Sequence, residues 1–200
     1  MGERRNLYLT LKEPFKLINA TDVNRPLNQY ASPSHRRAFS LMENTMAYMA
    51  QAVRKGIRKQ KYKYSKSKKS AYHWSYVLIA EDESKLNKIA EGMEKAVACH
   101  KISYSNESKK NAALYDAVKK YDFDCSKLKK KTTTNCCNLV SVACNYAGIP
   151  TPRKSSARTM ASKWTKYGFK CCRFTGKHLK RGYILVDNTE PKVHTAVYLG

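Results

Sequence analysis

The segment running from Thr132 to Pro150, T-T-T-N-C-C-N-L-V-S-V-A-C-N-Y-A-G-I-P, restricts the fold more than any other part of the chain. Leu139, Val140, Val142, Ala143 and Tyr146 leave no broad polar face, so the helix they predict has to be buried. Thr134 or Asn135 supplies its cap; Gly148 ends it and Pro150 follows. A buried helix requires other elements packed around it. Cys136 and Cys137 fall in its first turn, where unpaired backbone amides and the positive helix end stabilise a thiolate. This is a recurring way to prepare a sulfur nucleophile.

The rest of the chain supplies candidates for the surrounding layer. G-Y-I-L-V at 182–186 reads as a strand. Val193, Thr195, Val197 and Leu199 alternate with His194, Ala196 and Tyr198, which predicts a second strand. His194 near the start of that strand could face a cysteine on the helix, the geometry of a papain-like dyad. W-S-Y-V-L-I-A at 74–80 reads as a short strand. Leu86, Ile89, Ala90, Met93 and Val97 give one face of a helix running to about Cys99, and a further helix is expected near 108–120. Phe39, Met42, Met46, Met49 and Val53 recur at helical spacing, predicting a helix over 38–55 that Gly56 stops. The fold class expected is α+β. It consists of a basic, partly helical extension over residues 1–88 and a site-bearing domain over residues 89–200, divided near 84–88.

Charge narrows the partners. The chain carries a formal +24, spread along its length rather than gathered in a tail. Such a body favours a polyanion: nucleic acid, an anionic membrane surface or a phosphate-rich wall polymer. The densest run, residues 54–69, holds nine Lys/Arg and no acid. Lys61, Lys63, Lys66, Lys68 and Lys69 are its candidate phosphate contacts, and Tyr62 and Tyr64 between them could stack on bases. The competing reading is a solvated basic loop. The seven cysteines are odd in number and include two adjacent pairs, and no C-x-x-C occurs. Reduced thiols are expected, with no zinc site and no cofactor. Cys144 reads as core, and Cys171 and Cys172 as half-buried strand residues. His35, His73, His100 and His178 belong to no constellation, and Asp187 and Asn188, just before His194, read as turn residues, with orientation of His194 as the alternative. No apolar run reaches membrane-spanning length, and the N-terminus lacks the apolar core of a secretory signal.

The order N-C-C-N-L-V, A-G-I-P, the G-F-K element, L-K-R-G-Y-I-L-V and V-H-T-A-V-Y-L-G resembles the NlpC-type peptidoglycan endopeptidases, in the branch found in phages and prophages. The resemblance covers about residues 89–200. It implies a papain-like fold and cleavage of amide bonds in peptidoglycan peptides, with Cys136 rather than Cys137 as nucleophile and His194 as base. The family pattern has Asp where Asn135 stands, Ser where Cys137 stands and Asp where Tyr183 stands. Its third polar residue, which orients the histidine, normally lies on a strand after the histidine strand, beyond Gly200.

Two readings follow. In the first, the protein is a phage-type cell-wall hydrolase working through Cys136 and His194, carried in the virion or released from the host cytoplasm without a secretory route. In the second, it is a virion protein that keeps the fold without catalysis and binds nucleic acid or other virion proteins through its basic surface.

Overall fold

Six antiparallel strands organise the protein, in the order β2-β1-β8-β7-β3-β6. The computed structural model describes residues 46–67, 70, 73–190 and 193–200. The strands are β1 (Tyr48–Val53), β2 (Gly56–Lys61), β3 (Tyr76–Ala80), β6 (Phe169–Arg173), β7 (Ile184–Asp187) and β8 (His194–Tyr198). A separate parallel pair joins β4 (Ile102–Tyr104) to β5 (Thr132–Thr134). The helices are α1 (Ser84–Ala98), α2 (Ala113–Lys119), α3 (Cys136–Tyr146) and α4 (Ala157–Lys163). The fold is therefore α+β, with α3 packed against β8 and β1 and flanked by α1 and α2.

Local chemistry explains α3. Asn135 is extended at φ −107° and ψ 179°, and its side-chain oxygen accepts the Asn138 backbone N–H at 2.9 Å. That satisfies one orphan donor of the first turn. Leu139, Val140, Val142, Ala143 and Cys144 are buried, as an apolar helix without a polar face demands. The strands expected over 74–80, 182–186 and 193–200 form as β3, β7 and β8, and the helix expected from Ser84 forms as α1. The helix expected near 108–120 is shorter, at Ala113–Lys119.

The helix expected over 38–55 is corrected. Residues 38–45 lie outside the described residues, but Tyr48–Val53 is a strand. Met49, Ala50, Gln51 and Ala52 are buried in succession because β1 is paired on both edges and covered on both faces. A strand buried that way shows no alternation, and its apolar run mimics a helix. Gly56 does not stop a helix; at φ +103° it opens β2 after the Arg54–Lys55 turn.

The basic run also takes on structure. β2 is an edge strand, and charged side chains on an edge oppose pairing with other chains. Lys61, Lys63 and Lys66 are exposed, while Lys68 and Lys69 lie outside the described residues. Tyr62 and Tyr64 point the other way, as neighbours in extended chain do. Tyr62 packs edge-on against Tyr198 at 5.4 Å between ring centroids, and Tyr64 against Phe174 at 5.2 Å. Their rings serve the fold rather than standing free for bases.

Strands β1 to β3 pair into the same sheet as β7 and β8, and residues 46–200 form one compact unit. The sequence-based division between 88 and 89 falls inside α1. One further clasp binds α1 to the C-terminal strands. Arg181 donates to both carboxylate oxygens of Glu94, at 2.9 and 2.6 Å, and to the Leu199 carbonyl at 2.8 Å. The next residue, Gly182, has φ +88°, and a Cβ there would stand 2.1 Å from the Leu86 carbonyl oxygen. The obstructing atom is backbone, so a side chain could not be accommodated by a rotamer change. Gly182→Ala is expected to destabilise the protein by about 3 kcal/mol or more, combining left-handed strain with displacement of α1. A denaturant midpoint equal to that of the wild type would refute this account.

Candidate functional site

Cys136 sits in the first turn of α3, and its side chain faces the start of β8. Three groups favour its thiolate. The largest contribution is a hydrogen bond from the Cys137 thiol, whose sulfur lies 3.7 Å away. Next come the hydrogen bond and charge of the His194 imidazole, then the Thr195 backbone N–H. Burial opposes them, since Cys136 is only 6 % exposed. The donors prevail, and the Cys136 thiol is held well below the ordinary thiol range. Cys137 moves the opposite way: its hydrogen bond to the Cys136 sulfur, then its own burial and its neighbour's negative charge, push its pKa up. The two adjacent sulfurs are thus unequal, and the thiolate is favoured at Cys136.

Asn135 contributes by being neutral. It caps α3 as Asp would, without placing a second negative charge beside the thiolate.

The structure brings His194 to Cys136 and also supplies a residue that sequence reasoning missed. The Nε2–H of His194 donates to the side-chain oxygen of Gln51 at 2.5 Å. This bond sets the tautomer and leaves Nδ1 as the nitrogen able to take a proton. Sheet register accounts for the meeting. Ala50 pairs with Val197, so the same register puts Gln51 beside Ala196, on the face shared with His194 two residues earlier. Gln51 is 6 % exposed in a strand whose neighbours are apolar. Left without a partner, its amide would cost about 1–3 kcal/mol. A lone amide in the run M-A-Q-A-V was the available signal, but the helical reading of that run concealed it.

Two aromatic residues complete the surroundings. Trp74, 2 % exposed, lays its ring near the His194 imidazole, with centroids 6.0 Å apart and planes tilted by 34°. Its indole N–H donates to the Lys63 carbonyl at 3.3 Å. On β4, burial raises the Tyr104 hydroxyl pKa, and the nearby Cys136 raises it further. Tyr104 therefore stands beside the sulfur, donating to Asn106 at 2.6 Å.

Asp187 is not a turn residue. It ends β7, is buried, and accepts from Ser75 at 3.0 Å and from the Thr189 backbone at 3.0 Å. His73 lies 3.3 Å from the same oxygen, so it too belongs to a polar network. Asp187 pairs with His194 across the β7–β8 ladder, yet Gln51 is the residue bonded to the imidazole. Cys144 is core, Cys171 is half-buried and Cys172 is exposed; all seven cysteines are free thiols. Lys61, Lys63 and Lys66 lie along and after the β2 edge. Among the described residues no group of His, Cys, Asp and Glu is arranged to hold a metal ion, and no helix is long and apolar enough to cross a membrane.

The inequality among thiols has a direct readout. With iodoacetamide at mildly acidic pH, Cys136 is expected to alkylate faster than Cys137, Cys125 and Cys144, whose pKa values burial raises. Because its pKa is depressed, its rate should persist as pH falls below the ordinary thiol range, while theirs collapses. Mass spectrometry with fragmentation between Cys136 and Cys137 reads both rates, and a faster Cys137 would invert the assignment.

Comparison with known proteins supplies the wider setting. No curated protein and no solved structure gives a significant match. The endolysin-like domain family matches residues 54–200, a span that includes Cys136, Tyr104 and His194 and begins just after Gln51. That match covers most of the sequence, and the chain belongs to the endolysin-like domain family.

Proposed function

We propose that the protein is a cysteine peptidase or amidase that cleaves amide bonds in the peptides of peptidoglycan, with Cys136 as nucleophile and His194 as base. The observation that carries this reading is the depressed pKa of the Cys136 thiol beside an imidazole that Gln51 holds in one tautomer. Membership of the endolysin-like family supports the cell wall as substrate. A helix-borne thiol set against a strand-borne imidazole supports a papain-like, NlpC-type arrangement, as the sequence motifs suggest.

The chemistry runs in two halves. The Cys136 thiolate attacks the amide carbonyl carbon, and the carbonyl oxygen takes up the negative charge. The Cys136 amide, at the start of α3, is available to stabilise that oxyanion. As the C–N bond breaks, protonated His194 gives its proton to the leaving amine. The resulting thioester is hydrolysed by water that His194 deprotonates, which returns Cys136 to the thiolate and releases the carboxylic acid. Gln51 does not touch substrate in this scheme. It is a positioning residue, taking the part that the NlpC-type pattern gives to a polar residue from a later strand. Here β1, earlier in the chain, occupies the place beside β8.

The test is digestion of purified peptidoglycan. New amino groups should appear without new reducing sugar ends, since the bond broken is an amide. Cys136→Ala is expected to lower the rate by a factor on the order of 10⁴ or more. A Cys136→Ala protein as active as wild type would remove Cys136 as the nucleophile, and a wild type that releases no amino groups would favour the non-catalytic virion protein instead.

Gln51 gives a separate prediction. Gln51→Ala should reduce kcat roughly ten- to hundredfold, with little change in KM, because it loosens the imidazole without touching the substrate. Gln51→Glu keeps an acceptor and should retain more activity, with an altered pH profile from the charge placed next to His194. Equal losses in the two variants, with unaltered pH profiles, would reduce Gln51 to a packing role.

A further inference from the structure

A second cavity, of about 370 Å³, opens between the loop at residues 152–156 and the segment 159–167. Its lining shares no residue with the Cys136 site. Lys154, Lys163 and Lys166 contribute three cations to it, and Ser155, Ser156 and Thr159 three hydroxyls. No carboxylate lines it. Among the described residues none of the three lysines has an acid within ion-pair distance, although six other Lys/Arg side chains do and two of those pairs join distant elements in bidentate fashion. The Ser155 hydroxyl oxygen is buried and has no hydrogen-bond partner among the described residues. An unpaired buried hydroxyl is costly, and a ligand oxygen would relieve it.

We propose that this cavity binds a phosphate group of an anionic cell-wall polymer. Three ammonium groups and several hydroxyl donors suit a tetrahedral oxyanion with many acceptor sites better than a carboxylate with two oxygens. The volume lies near the lower end for small-ligand sites, enough for one phosphate and its attached polyol. The aromatic neighbours argue against a nucleic-acid strand. Trp164 is buried against Phe169, with centroids 5.3 Å apart, and Lys166 covers the Tyr167 ring at 5.0 Å. Trp164 has no free face on which a base could stack, and one face of Tyr167 is already taken by Lys166.

The loop that carries the cavity also touches the reactive end of α3. The Ser155 backbone N–H donates to the Asn138 side-chain oxygen at 2.8 Å, and the Ala157 backbone N–H meets the Cys137 thiol. A wall phosphate held here would tether the protein beside the bond that Cys136 attacks. The polymer's identity rests on the proposed cell-wall function; the phosphate chemistry of the cavity does not.

The experiment is calorimetric titration of the full chain with poly(glycerol phosphate), and with a duplex oligonucleotide of matched charge, across a salt series. Two variants with equal charge loss are compared: Lys154→Ala/Lys163→Ala/Lys166→Ala in the cavity, and Lys129→Ala/Lys130→Ala/Lys131→Ala on a loop outside it. The cavity variant is expected to weaken polymer binding at least tenfold and flatten its salt dependence, while the loop variant changes it less than threefold. Amide resonances of Ser155 and Thr159 should shift on addition of inorganic phosphate. Equal weakening in both variants, absence of those shifts, or tighter binding of the oligonucleotide through the same lysines would each overturn the proposal. Cys136→Ala should bind the polymer as wild type does. Normal polymer binding by a wild-type chain that releases no amino groups from peptidoglycan would therefore remove the hydrolase reading alone.

Discussion

The hydrogen bond between His194 and Gln51 ties the site to the sheet. It joins residues 143 positions apart, and only the antiparallel pairing of β1 with β8 brings them together. The pairing and the bond support each other. Gln51 lies in a strand where Met49, Ala50 and Ala52 have no exposure at all, so its amide needs an acceptor or donor within the protein. A slip of β1 by one residue would turn that amide to the opposite face and leave both Gln51 and the imidazole unpaired. The register of β1 is thereby specified by a polar contact as well as by apolar packing.

The same contact shows where sequence reasoning reaches its limit. Helix α3 was legible because its signals are local: a capping Asn135, an apolar run and Gly148 at the exit. β8 was legible because His194 to Leu199 alternates between two environments. β1 was not, since burial on both faces erased alternation and the methionine spacing imitated a helical stripe. With residues 38–55 read as a helix, the chain offers no partner for the far nitrogen of His194. The site's third polar residue was sought after the histidine strand, while the sheet supplies it from a strand that comes before the cysteine. Tyr104 was hidden for a similar reason: β4 is three residues long, and its position beside Cys136 depends on parallel pairing with β5, just ahead of α3. Spatial neighbours contributed by short or doubly buried strands leave little trace in local pattern.

The vicinal cysteines separate two effects that composition would merge. By itself, a formal charge of +24 would favour any thiolate in the chain. Yet burial raises the pKa of Cys125, Cys144 and Cys171 in the same chain, and Cys136 and Cys137, one residue apart, move in opposite directions. A field common to the whole molecule cannot produce that divergence. Screening limits exposed charges to a reach of about 8–10 Å at ordinary ionic strength. The direction is set by which donors point at each sulfur: the Cys137 thiol, His194 and the Thr195 amide for Cys136, against a neighbouring thiolate for Cys137.

The net charge then has a different part to play. Where cations are paired, as in Arg181 with Glu94, Lys95 with Asp124 and Arg153 with Asp116, they fasten one element to another. Where they line the 152–167 cavity, they make no such clasp within the described fold. Exposed lysines held without acidic partners repel one another and gain little from the protein itself. Their interaction energy is realised when an anion arrives, as attraction that speeds encounter and as counterion release that strengthens binding at low salt. The sulfur chemistry is thus set by short-range hydrogen bonds and the association by surface charge, and the two depend on different residues. Salt should therefore change how readily the protein reaches an anionic wall while leaving the relative reactivity of Cys136 and Cys137 as the local donors fix it.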